Sequence, residues 1–261
     1  MERNPIPRWQ PPHWPGRGKK LMLYCLAAVL VFFLGMVLGD LLSQSSRAEN
    51  PSLGLVENSP FIDVPYISQR ERYPSGCESV STVMALGHAG VSITVEEFID
   101  SWLPQGSAPC DRDGTGRYVS SDPNVAFMGS PYSESGWGCY APVIKAALDK
   151  LLAVKGSVLE TVDLTGKGLD ELCEEYIAKG TPVIVWATAF MEEPRYGQTL
   201  TGEETGRQFD WIAPEHCMLL VGEDEEHYYF NDPLAGKGVA YEKAATERAY
   251  EGLRQQALAI Q

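Results

Sequence analysis

Positive charge is scarce in this chain: 21 lysines and arginines stand against 35 aspartates and glutamates, a formal net charge of −14 over 261 residues. A protein that coats a polyanion must neutralise phosphates with basic side chains, so nucleic acid is excluded as its partner. Cysteine is sparse, at six, and no two are spaced as Cys-x-x-Cys, so no zinc knuckle is encoded. There is no internal repeat and no low-complexity tract, which excludes a solenoid, collagen or a disordered chain as the main architecture. No motif calls for a cofactor or a metal.

What basic charge there is lies mostly at one end. Residues 1–49 hold six of the basic and three of the acidic side chains, leaving 15 and 32 in residues 50–261, a formal −17. Between them runs LMLYCLAAVLVFFLGMVLG, residues 21–39, without a single charge. As a helix it spans roughly 28 Å, close to the hydrocarbon thickness of a bilayer. Arg17, Lys19 and Lys20 precede it and only Asp40 closely follows. The positive-inside bias therefore predicts a cytoplasmic tail (1–20), a transmembrane signal anchor (21–39) and export of everything after it. A cleaved signal peptide cut after Ala48 is the rival reading, and would release the remainder as a secreted protein. No cysteine follows at lipobox spacing. Residues 40–60, rich in Ser, Asn and Pro, read as a linker, and 61–261 as one domain.

Within that domain helical periodicity comes first. Ser79 to His88 carries Val80, Val83, Met84 and Leu86 at helical spacing, and Thr94-Val-Glu-Glu97 is a capping-box pattern opening a short helix to about Trp102. Ala141 to Leu152 and Leu169 to Lys179 are further helices. The period then changes: PVIVWAT (182–188), HCMLLVG (216–222) and HYYFN (227–231) are β-rich runs, the last two joined by the acidic turn 223–226. A late helix near 243–253 and a strand near 257–260 complete an α+β domain, its N-terminal helices packed as one layer on a C-terminal antiparallel sheet as the second. Residues 103–138 and 191–215 read as long irregular loops. Cys110 and Cys139 flank the first and are candidates to staple it, while Cys173 and Cys217 lie on apolar faces and read as core.

One stretch points to chemistry. Cys77 follows the Pro74-Ser75-Gly76 turn and sits where a helix begins, so unpaired N–H groups and the helix dipole are predicted to favour its thiolate. Gln69, eight residues upstream, has a side-chain amide able to donate to an oxyanion beside the Cys77 N–H. A base is needed, and four histidines are present. His13 falls on the cytoplasmic side, and His88 lies eleven residues along the same helix, about 16 Å away. His216 and His227 remain, and His216 opens a strand whose edge can face a cleft. The next strand ends at Asn231-Asp232-Pro233, which a hairpin would return to His216, so Asp232 or Asn231 could orient the imidazole. Glu78, beside the proposed nucleophile, either raises its pKa or points to solvent. Trp137, Tyr140, Trp186, Trp211, Tyr228 and Tyr229 are candidates for cleft lining or for core.

The segments VPYISQRERYPSGCESVSTVMAL, HCMLLVGED and YYFNDPLAG resemble the C39-like cysteine peptidases, a papain-like group named for bacteriocin-processing proteases. The resemblance covers about 61–258. It implies a papain-like fold, with Gln69 as oxyanion-hole donor, Cys77 as nucleophile, His216 as general base and Asp232 as orienting acid. Where that family often has glycine after the nucleophile, Glu78 stands here. Without a P-loop or a transmembrane bundle, the chain is not expected to be a transporter-fused member. The implied function is a membrane-anchored extracytoplasmic cysteine peptidase acting on a peptide or protein substrate. The alternative is a catalytically inactive surface module that binds peptides or a partner protein.

Overall fold

A computed structural model describes residues 61–112 and 114–261. The anchor at 21–39 and the linker at 40–60 lie outside the described residues. Among those described, no helix is long and apolar enough to cross a membrane.

The first helix, α1 (Cys77–His88), starts two residues earlier than its apolar spacing suggests. Gly76 precedes it in a tight turn closed by its N–H on the Tyr73 carbonyl, at 2.8 Å. A Cβ on Gly76 would stand 2.8 Å from Tyr73 Cβ, so the turn requires glycine there. Every residue of α1 from Cys77 to Leu86 is buried, polar ones included, so the helix runs inside the domain rather than along its surface. Helix α2 (Val95–Ser101) is capped as its sequence predicts, the Thr94 hydroxyl accepting from the Glu97 N–H at 3.0 Å. The long stretch that follows contains β1 (Gln105–Gly106), β2 (Cys110–Asp111), β3 (Tyr118–Ser120) and β4 (Phe127–Met128). Then come α3 (Ala141–Val154), β5 (Thr161–Asp163), α4 (Leu169–Glu175) and β6 (Val183–Thr188). Helix α4 ends early, giving way to one 3₁₀ turn, Ile177–Lys179, stopped by left-handed Gly180.

The second half consists of β7 (Arg195–Gly202), β8 (Gln208–Ala213), β9 (Glu215–Glu223), β10 (His227–Asp232), β11 (Gly236–Glu242), α5 (Lys243–Gly252) and β12 (Ala257–Ile260). Six strands form one sheet in the order β11-β10-β9-β6-β12-β5, every neighbouring pair antiparallel. The expected α+β class and antiparallel sheet are therefore present.

Three expectations need correction. The domain is not two layers: one face of the sheet packs Trp186, Cys217 and Leu219 under α1, and the other packs Val185, Met218 and Leu220 with residues of α4 and α5. The unbroken apolar runs of β6 and β9 carry that signature, because a strand buried on both faces has no polar side to alternate. The segment 191–215 is no loop, for β7 and β8 form a hairpin within a second sheet ordered β2-β3-β7-β8. Its outer residues, Arg195 to Thr199, are exposed and polar, so no apolar period marked them. Cys110 and Cys139 are not bridged: the five cysteines among the described residues are free, Cys110 exposed and Cys139 buried.

Candidate active site

Three chain segments meet where α1 begins. The entering strand-like stretch lies along the end of β10, with the Gln69 N–H on the Pro233 carbonyl at 3.1 Å and the Tyr66 hydroxyl on the Asp232 carbonyl at 3.1 Å. Those bonds bring Gln69 to the same place as Asp232. Helix α1 packs on β9, the Ser81 hydroxyl donating to the carbonyl of Cys217, the residue after His216, at 3.1 Å. Gln69 thus lies at the end of β10 beside the His216–Asp232 pair, and α1, with Cys77 at its head, packs on the strand that carries His216.

His216 and Asp232 form a buried pair. Nε2 of His216 lies 2.8 Å from Oδ1 of Asp232, with the two residues 1 % and 0 % exposed. This leaves Nδ1 as the ring nitrogen for a further partner. Asp232 is held on every side: the N–H groups of Leu234 and Ala235 reach Oδ1, and the Tyr241 hydroxyl donates to Oδ2 at 2.6 Å. Burial alone would raise the Asp232 pKa, yet the bonds from His216, Tyr241 and Leu234 outweigh it and hold the carboxyl below its usual range. Asn231 is occupied otherwise, donating to the Val64 carbonyl and accepting from the Gly238 N–H, so Asp232 is the orienting residue. His88 and His227 are committed elsewhere, to the Gly180 carbonyl and to Asp224.

Tyr241 gave no signal in the sequence: it is one aromatic in a half-exposed strand, and only the hairpin brings it back to Asp232. Its hydroxyl is a charge-assisted donor worth about 1.5–3 kcal/mol to a buried carboxylate. Tyr241→Phe is expected to raise the Asp232 pKa and move the acid limb of the activity profile to higher pH, with KM little changed. An unaltered kcat/KM profile against pH would remove Tyr241 from the site.

Around Cys77 the structure departs from expectation. Its thiol donates to Oε2 of Glu78 at 3.3 Å, and Oε1 of Glu78 accepts from the Cys139 N–H at 2.6 Å. Glu78 therefore turns inward and is fully buried. A second carboxyl, Glu215, joins it: Cys77, Glu78 and Glu215 each place a donor atom within 4.8 Å of the others, so they could also furnish ligands to a divalent cation. Gly138, at φ +124°, makes room for the pair, since a Cβ there would stand 2.7 Å from Glu215 Oε2 and 2.8 Å from Glu78 Oε1. Burial pushes both carboxyls above their usual range, and Glu78 raises Glu215 further.

The thiol follows the same logic. A helix N-terminus contributes about 0.3–1 kcal/mol, less than one pKa unit, whereas burial can move a group by about 3–5 units. Burial first, then Glu78 and Glu215, push the Cys77 thiol well above its ordinary value. The predicted lowering by the helix dipole is thus overridden, and the resting group is a neutral S–H. Gln69 is buried with Nε2 on the Pro74 carbonyl at 3.0 Å, and its Oε1 has no hydrogen-bond partner. The second N–H of that nitrogen remains for another acceptor. Of the aromatics, Trp186, Tyr140 and Tyr228 are core, while Trp137 and Trp211 line a hollow beside Glu215.

A cysteine at the head of a buried helix, laid against an antiparallel sheet that carries a histidine–aspartate pair, defines the fold of the C39-like peptidases. The Peptidase_C39 like family model matches residues 61–258, and the chain belongs to that family. It is similar to the uncharacterized protein YvpB of Bacillus subtilis (strain 168), 26% identical over 221 residues, covering 84% of this chain and 83% of that protein. It is also similar to a crystal structure from Bacillus anthracis called a C39-like peptidase, with a TM-score of 0.65 and 27% identity, covering 78% of this chain and 98% of that one.

Proposed function

We propose that this protein is a membrane-anchored, extracytoplasmic cysteine peptidase that cleaves peptide or isopeptide bonds. The buried His216–Asp232 pair, on the strand against which α1 and its leading Cys77 pack, carries this reading. Nδ1 of His216 takes the thiol proton as Cys77 attacks the scissile carbonyl carbon. The oxyanion is held by the Cys77 N–H and the free N–H of Gln69 Nε2. His216 then delivers its proton to the leaving amine, the C–N bond breaks, and a thioester to Cys77 remains. Water, deprotonated by His216, cleaves that thioester and restores the thiol. The apolar run at 21–39 supports the anchoring, with the acidic domain outside the cell.

One observation favours a second reading, a surface module that only binds peptides: the Cys77 thiol is spent on Glu78 rather than held as a thiolate. Hydrolysis of an internally quenched peptide library by the full-length protein separates the two. The peptidase reading expects turnover that falls on the order of 10⁴-fold or more in Cys77→Ala. Saturable peptide binding with no turnover, equal in wild type and Cys77→Ala, would establish the binding module instead.

A further inference from the structure

We infer that the hollow beside Cys77 is a subsite for a cationic, lysine-like side chain of the substrate. This rests on the peptidase reading, because it assigns the occupant to the peptide being cut. The hollow measures about 320 Å³ and is lined in part by Glu134, Gly136, Trp137, Trp211, Pro214 and Glu215. Ligand pockets span about 300–1,000 Å³, so this one suits a single side chain. It adjoins the nucleophile on two sides. The Glu215 carboxyl is within 4.8 Å of the Cys77 sulfur, and Gly136 packs so closely on Ser75, two residues before Cys77, that a Cβ would meet Ser75 Cβ at 2.8 Å.

The chemistry of the walls selects the occupant. Trp137 meets Trp211 at 5.7 Å and 60°, and Trp211 is backed by Tyr140 stacked at 5.5 Å and 11°, so the rings form a fixed aromatic wall. Such a wall accepts an aliphatic stem along its faces and attracts a cation over them. Two acidic residues line it: exposed Glu134, and Glu215, whose buried Oε1 has no hydrogen-bond partner. A neutral apolar side chain would leave that oxygen unpaired, and an anionic one would meet two acidic residues on a domain with 15 basic and 31 acidic side chains, a formal −16. An ammonium group supplies the missing donor and the countercharge together.

The test compares two alkylating labels that differ only in the terminal amine, a lysyl and a norleucyl chloromethyl ketone, on the full-length protein, with Cys77 adducts quantified by peptide mapping. The lysyl label is expected to saturate and to react about tenfold faster, and Glu215→Gln is expected to bring the ratio close to one. Because the ratio is read, a general change in thiol reactivity in the variant cancels. In parallel, tryptophan fluorescence is titrated with N-acetyl-lysine methylamide and its norleucine counterpart, which reports occupancy without the thiol. Equal label rates at a reactive Cys77, with no lysine-dependent fluorescence change, would overturn the subsite. A saturable lysine-specific signal lost in Glu215→Gln, at a Cys77 inert to both labels, would support the subsite and count against the peptidase.

Discussion

His216→Ala is expected to lower kcat/KM by about 10²–10⁴-fold while leaving the domain folded. The imidazole is held at Nε2 by Asp232, which leaves Nδ1 as the nitrogen able to exchange a proton in the proposed reaction. Removing it does not strand a buried charge, because Asp232 keeps the Tyr241 hydroxyl and the N–H groups of Leu234 and Ala235. The cost to stability is then mainly the small cavity, about 2 kcal/mol, well short of unfolding a domain of this size. Thermal unfolding checks the fold, and steady-state hydrolysis checks the chemistry. Partial recovery of the variant by added imidazole would distinguish a lost base from a displaced thiol. Unchanged hydrolysis in the folded variant would take His216 out of the mechanism.

The turn before Cys77 and the pairing of His216 with Asp232 were legible in the sequence because each is tied to local grammar. Cys77 follows a turn that only glycine closes, and His216 and Asp232 sit at strand ends that a hairpin must juxtapose. The choice between Asn231 and Asp232 was not legible. It depends on which of two adjacent side chains faces β9, and the register shifts within β10, so alternation alone does not fix it. The carboxyl pair was hidden for a different reason. Glu78 and Glu215 are 137 residues apart, and a buried acid is rare enough that the default placement of each is in solvent. Only Gly138, whose missing side chain opens the space between them, marks their meeting in the structure. The hairpin of β7 and β8 was missed because the first five residues of β7, Arg195 to Thr199, are all exposed and impose no period.

Glu78→Gln is expected to shift the pH midpoint of Cys77 alkylation by iodoacetamide downward by about one to three units. Two buried carboxyls so close cannot both ionise cheaply, and burial lifts both, so the pair favours one shared proton over two charges. The charge that remains faces the thiol and opposes a thiolate. Glutamine keeps an oxygen for the Cys139 N–H while presenting an N–H to the sulfur in place of an anion, so the variant removes the opposition without removing the scaffold. The same substitution should leave a mark on stability, and its sign is fixed by linkage. A carboxyl whose pKa is raised by folding stays protonated in the folded state after the unfolded chain has ionised at about pH 4.3. Its contribution is therefore most favourable below that pH and is lost as pH rises toward the folded value. Glu78→Gln should gain in melting temperature over the wild type as pH rises above about 4.3, and the alkylation midpoint should fall in the same protein. If both stay where they are in the wild type, Glu78 neither loads the carboxyl pair nor restrains Cys77. If both move, the family's cysteine is kept here as a neutral thiol by its own neighbour in sequence, and its ionisation depends on how that carboxyl pair is charged.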